Sequence, residues 1–166
     1  MKKEITKLQV SINAWTIFFI IALVISGITA IPVKQEIDWL LKSEFIASGF
    51  VRDWLIVVQS DLNATPGHIL YGFDWLAFAH IVIAIAFIGV LRNPVRNIWV
   101  IEFGMLACIS ILPFAFIMGE MREIPLWWCV IDCSFGIFGM IPLWIVWRKI
   151  KMLERLLSQE NQYVFF

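Results

Sequence analysis

Four long apolar stretches dominate the pattern of this chain: residues 14–33, 69–91, 98–118 and 126–147, none of them containing Lys or Arg. A helix needs about 20 mainly apolar residues to cross about 30 Å of hydrocarbon, so each stretch is long enough to span a bilayer. Proline and glycine punctuate the breaks: Pro32, Pro66-Gly67, Pro94 and Pro125 sit at or just outside a predicted end. Pro113 and Pro142 lie inside the third and fourth stretches and predict kinks, because proline removes a ladder hydrogen bond and crowds the preceding turn. Membrane helices tolerate this where neighbours satisfy the freed carbonyls.

The segment 34–68 is too long for a tight connection and too apolar for a solvated one. Ile37, Leu40, Leu41 and Phe45 recur at helical spacing, as do Val51, Trp54, Leu55 and Val58, with Gly49 between the runs. This patterning predicts short helices lying in the membrane interface; a cap on the bundle's own outer end fits it equally. Asn63-Ala64-Thr65 matches a glycosylation acceptor, but Pro66 follows and the motif carries no weight. Beyond Trp147 the helix is expected to run on, with Ile150, Leu153, Leu156 and Leu157 opposite Lys151, Glu154 and Arg155. The apolar end, Tyr163-Val164-Phe165-Phe166, is expected to return to the interface. The expected fold is all-α: one membrane domain over residues 1–166, a bundle of four transmembrane helices with an extracytoplasmic interfacial helical loop.

Composition strengthens the membrane reading. The 166 residues are 61% hydrophobic and 16% charged, against roughly 45–50% apolar and about 25% charged in soluble domains. A soluble fold of this size leaves too much surface wet to hide that much apolar area. Net charge is zero, which points away from nucleic acid and acidic partners. Lys2, Lys3 and Lys7 ahead of an apolar run ending Ser26-Gly27-Ile28-Thr29-Ala30 resemble a signal peptide. The run exceeds a usual signal core and Ile28 breaks the small-x-small rule, so an uncleaved helix is expected.

Basic residues orient the helices, since short cytoplasmic loops collect Lys and Arg. Nine of the 13 basic residues (Lys2, Lys3, Lys7, Arg92, Arg96, Arg148, Lys149, Lys151 and Arg155) fall on one side of a four-pass chain; Lys34, Lys42, Arg52 and Arg122 fall on the other. The second group is mixed with Glu36, Asp38, Glu44, Asp53, Asp61, Glu120 and Glu123. Both termini are therefore expected in the cytoplasm. Trp15, Trp99, Trp144 and Trp147 then mark the inner border and Trp75, Trp127 and Trp128 the outer one, where amphipathic rings concentrate.

An ionisable side chain in a membrane helix costs about 2.5–3.5 kcal/mol on insertion scales, which makes each one a candidate functional residue. Asp74, His80, Glu102 and Asp132 qualify. At 1.5 Å rise per residue, Asp74 and Asp132 lie roughly 8–9 Å inside the outer border, His80 near the midplane and Glu102 roughly 6 Å above the inner border. Two carboxylates at one depth can share a proton, bind a cation or accept hydrogen bonds from a buried polar ligand. Structural roles compete: Asp74 on the amides of the Pro66-Gly67 break, Asp132 with Arg122 or the Trp128 indole, Glu102 with Arg96 or Arg148. A midplane imidazole can ligate haem iron, relay a proton or bond across helices, and Cys108 and Ser110 are its nearest partners by depth. His68 is the only other histidine, twelve residues away and roughly 18 Å along a helix, too far to share one iron with His80.

Cys129 and Cys133 share a helical face with β-carbons about 5–6 Å apart, more than a disulfide's 3.5–4.5 Å, and read as packing residues. Asp132, Gly136 and Gly139 form a strip that admits another backbone, with Gly104 and Cys108 as a matching groove on the third stretch. Contact with a second copy or another membrane subunit is expected through the Gly136/Gly139 face. Phosphate-binding, zinc-protease, nucleophile-elbow and dinucleotide motifs are absent from the sequence.

Phe73-Asp-Trp-Leu-Ala-Phe-Ala-His80, Arg92-Asn-Pro-Val-Arg-Asn97 and Ile131-Asp-Cys-Ser-Phe-Gly136 resemble small bacterial four-helix membrane proteins, over roughly the last hundred residues. The resemblance implies a bacterial cytoplasmic (inner) membrane and no particular activity. The function expected is that of a small polytopic membrane protein, transport-type or accessory subunit, with Asp74, His80, Asp132 and Glu102 as candidate binding residues. The alternative is a haem- or quinone-binding anchor of a redox complex; the sequence itself requires no cofactor.

Overall fold

The computed structural model of the chain describes residues 2–43, 46 and 48–163, with side chains as far as 160. Six helices are present among them and no strand: α1 (Lys2–Thr29), α2 (Val33–Lys42), α3 (Phe50–Ala64), α4 (Gly67–Arg92), α5 (Ile98–Met121) and α6 (Leu126–Tyr163). The fold is all-α, and α1, α4, α5 and α6 are long and apolar enough to cross a membrane. Only 17–33% of the most apolar window in each of these four helices is buried. Phe18, Phe114, Phe135, Phe138 and Leu126 are among the many large apolar side chains left exposed. Apolar exteriors on this scale are what water penalises and hydrocarbon accepts.

The helices exceed the apolar stretches wherever polar residues can still propagate a helix. α1 begins at Lys2 and stops at Thr29, earlier than the expected 33, because Ala30 and Ile31 turn into Pro32 and α2 starts at Val33. α6 runs 38 residues, roughly 57 Å at 1.5 Å per residue, about twice the hydrocarbon thickness. Its continuation past Trp147 follows the predicted face, with Ile150 and Leu153 fully buried. The helices continue through Pro113 and Pro142. Glu44, Phe45 and the stretch 164–166 of the expected apolar end lie outside the described residues.

Backbone contacts divide the chain into two units: Met1–Ile21 with Ile85–Phe166, and Ala22–Ala84. The core of the first unites Leu8 and Ile12 of α1, Phe87 and Val90 of α4, Val100, Ile101 and Cys108 of α5, and Leu143, Val146, Ile150 and Leu153 of α6. Phe19 packs on Phe87 with ring centroids 4.8 Å apart. The α4–α5 turn is tied by asparagines: the Asn97 side-chain amide donates to the carbonyls of Gly89 and Asn93, both at 2.9 Å. The α5–α6 turn is a Schellman motif, in which Ile124 N–H donates to Gly119 O and Glu123 N–H to Glu120 O. It places Glu123 at φ 57°, the left-handed region that glycine usually fills.

Close approach of α5 and α6 depends on their glycines. A Cβ at Gly136 would stand 2.6 Å from the Cys108 carbonyl oxygen, and one at Gly139 would stand 3.1 Å from the Cys108 sulfur. The strip expected to admit another backbone thus receives the chain's own α5, and a partner using Gly136 would have to displace it. Gly119 takes the Cys129 thiol in the same manner.

In the second unit, α2 and α3 pack on each other, burying Ile37 and Leu55. The Gln59 amide donates to the Asp38 carboxylate between them. The Arg52 guanidinium donates to the carbonyls of Leu41 (2.9 Å) and Ile46 (2.8 Å), satisfying the end of α2. Gly49, at φ 101°, supplies the reversal that leads into α3.

Candidate functional site

Asp132 is the seventh residue of α6, half-buried in a cleft of about 340 Å³ between α5 and α6. Apolar walls come from Ile111, Phe114 and Met118 on α5, and the Schellman turn brings Arg122 and Ile124 to the rim. Cys129, held against Gly119, forms the floor one helical turn before Asp132. The Arg122 guanidinium and the Asp132 carboxylate line the same cleft, yet no ion pair joins them, and neither has a side-chain hydrogen bond among the described residues. The expected pairing with Arg122 or the Trp128 indole is not made. The cleft is thus lined by one carboxylate and one guanidinium with no bond between them.

The other predicted residues differ in kind. Asp74, in the second unit, is exposed on α4 without a hydrogen-bond or ion-pair partner among the described residues, so it does not cap the Pro66-Gly67 break. It sits beside an aromatic ladder in which Tyr71 meets Trp75 at 5.9 Å and Trp75 meets Phe78 at 5.6 Å. His80 Nδ1 lies 2.8 Å from the Leu76 carbonyl. A carbonyl only accepts, so Nδ1 carries the proton and Nε2 of a neutral ring is left as an acceptor. For the ring proton, the expected partner across helices, Cys108 or Ser110, gives way to the i−4 carbonyl of its own helix, which is always within reach. Ser110 does likewise with Leu106 O at 2.8 Å. A Cβ at Gly27 would stand 2.5 Å from the His80 Cβ, so the histidine is packed as well as bonded. His68 is exposed on the same helix.

Glu102 accepts a hydrogen bond from Trp147 Nε1 at 3.1 Å. No ion pair links it to Arg96 or Arg148 among the described residues, which corrects that expectation; the indole one helix away is the nearer donor. Cys108, Cys129 and Cys133 are free and buried, and Cys108 and Cys129 fill glycine notches. Among the described residues no three of His, Cys, Asp and Glu converge as a metal site.

Two features escaped the sequence reading. Thr16 of α1 is buried with its hydroxyl unpartnered, and one hydroxyl in an apolar run gives little sign of that. A second cleft of about 730 Å³ runs along α6 from Trp144 to Arg155, with Leu8 of α1 at its edge. Its basic residues were visible in the sequence only as a topology signal. No protein-family model matches the chain, and no curated protein or solved structure is detectably similar to it.

Proposed function

We propose that this chain is a multi-pass protein of the bacterial cytoplasmic membrane, both termini inside, acting as an accessory subunit that offers the Asp132 cleft to a polar group of a membrane partner. One observation carries the reading: a carboxylate well inside an apolar helix, half-buried, lining one cleft with an arginine, and neither of them paired among the described residues. Such a group is costly in hydrocarbon and persists where it is used. Four helices long and apolar enough to span support the location, and the bias of basic residues supports the orientation. A partner helix carrying a hydroxyl, amide or amine would bond Asp132 while its apolar side fills the space beside Phe114 and Met118.

Photo-crosslinkers placed at Phe114 and Met118 in intact cells test this. A discrete protein adduct that disappears with Asp132→Asn is expected. Adducts to lipid alone, unchanged by that substitution, would overturn the accessory role. Proton or cation flux through purified protein in liposomes, abolished by Asp132→Asn, would replace it with transport.

A further inference from the structure

We propose that the cleft along α6 from Trp144 to Arg155 is a binding site for the headgroup of an anionic glycerophospholipid. The inference rests on the membrane placement proposed above but uses a different site. The cleft, about 730 Å³, is lined by Arg148, Lys149, Lys151 and Arg155 together with Trp144 and Trp147. Trp144, Arg148, Lys151 and Arg155 recur at three- and four-residue steps, so they form one stripe down the helix. From Arg148 to Arg155 the stripe covers roughly 10 Å, enough to span the headgroup layer of about 5–8 Å on one side of a bilayer.

Charge balance identifies the occupant. Lys151 is paired with Glu154 at 3.2 Å, while Arg148, Lys149 and Arg155 have no ion pair among the described residues. Glu102, the other acid close by, is engaged by the Trp147 indole. The lining therefore carries four positive charges against the Glu154 carboxylate, and counting Glu102 as well still leaves a surplus of two beside the apolar part of α6. The Trp144 and Trp147 rings stack at 5.4 Å and 22°. Their faces suit the glycerol and upper acyl region, and the Trp144 indole N–H, without a partner among the described residues, can donate to an ester or phosphate oxygen. Basic pockets at the cytoplasmic ends of membrane helices select anionic headgroups through this combination. A soluble anion would use the guanidinium groups alone and gain nothing from the tryptophans or from Leu8.

Native mass spectrometry of the full-length protein in detergent provides the test, with phosphatidylglycerol, phosphatidylcholine and soluble glycerol phosphate added in separate arms. Phosphatidylglycerol adducts should exceed phosphatidylcholine adducts severalfold, and glycerol phosphate should not compete. Arg148→Gln and Arg155→Gln should each reduce the preference about fivefold, the factor for one cation near an anionic lipid surface. The double Arg→Lys variant should keep most of it and so controls for misfolding; Lys34→Gln with Lys42→Gln should leave it unchanged. Equal binding of the two lipids, a preference untouched by the Arg148 and Arg155 changes, or full competition by glycerol phosphate would each overturn the proposal. Selectivity in detergent does not depend on which leaflet the site faces or on Asp132. A failed accessory role would therefore leave this result standing, and the reverse also holds.

Discussion

Gly136→Ala tests the α5–α6 contact, because the atom its new methyl would meet is backbone rather than a movable side chain. The Cβ would stand 2.6 Å from the Cys108 carbonyl oxygen, 0.8 Å short of the 3.4 Å at which ordinary contact begins. A helical carbonyl cannot swing away without breaking its own ladder, so α5 and α6 must part locally. Overpacking of this kind costs about 1–3 kcal/mol. Alanine also gains about 1 kcal/mol of helix propensity over glycine, which blurs a measurement on this variant alone. Gly72→Ala removes that ambiguity, since a Cβ at Gly72 in α4 would meet nothing within 4 Å.

The difference between the two variants isolates the packing term. Gly136→Ala should be less stable than Gly72→Ala by about 1–3 kcal/mol, while Gly72→Ala alone should match or exceed the parent. Reversible unfolding by sodium dodecyl sulfate in mixed micelles, followed by helical circular dichroism, reads both. If Gly136→Ala proves as stable as Gly72→Ala, the Cys108 carbonyl does not sit against Gly136 and the α5–α6 interface is wrong in register.

Three further outcomes are expected. Reporter fusions after Arg96 and after Arg155 should read cytoplasmic and one at Asp53 extracytoplasmic; the opposite result at either arginine would overturn the orientation. Glu123→Gly should stabilise the protein by about 1 kcal/mol in the same unfolding assay, by relieving a left-handed conformation that costs a side-chain-bearing residue about 1–2 kcal/mol, and a loss of stability would show that the Glu123 side chain makes a compensating contact. His80→Phe should leave the protein folded and about 0.5–1.5 kcal/mol less stable, the worth of one hydrogen bond, and purified protein should show no Soret band; a haem spectrum that vanishes in this variant would promote the redox-anchor alternative.

Helix positions were legible because hydrophobic length and proline placement are local properties. Pro32, Pro66, Pro94 and Pro125 each fall between helices, and Ile37 and Leu55 are buried as their spacing implied. Helix ends were less legible, since nothing in hydropathy marks where Lys2 or Arg148 stops propagating a hydrogen-bond ladder. The glycine strip was recognised as a close-approach surface, but small residues do not say whose backbone arrives. Side-chain partners were the least legible. Depth offered Cys108 and Ser110 as partners for His80, whereas its ring proton goes to the Leu76 carbonyl of its own helix.

That choice separates the polar residues by what they leave unsatisfied. His80 and Glu102 spend their hydrogen bonds within the chain, on Leu76 O and the Trp147 indole, so their presence in apolar helices is accounted for by packing and local bonding. Asp132 and Arg122 share a cleft and still make no bond to each other. Ile111, Phe114 and Met118 line the cleft with them, and the Schellman turn brings Arg122 to its rim. Asp132 is half-buried where the equally unpartnered Asp74 is exposed, and an unpaired carboxylate costs more the less water reaches it, which is the physical reason to test the α5–α6 cleft before any other acid in the chain.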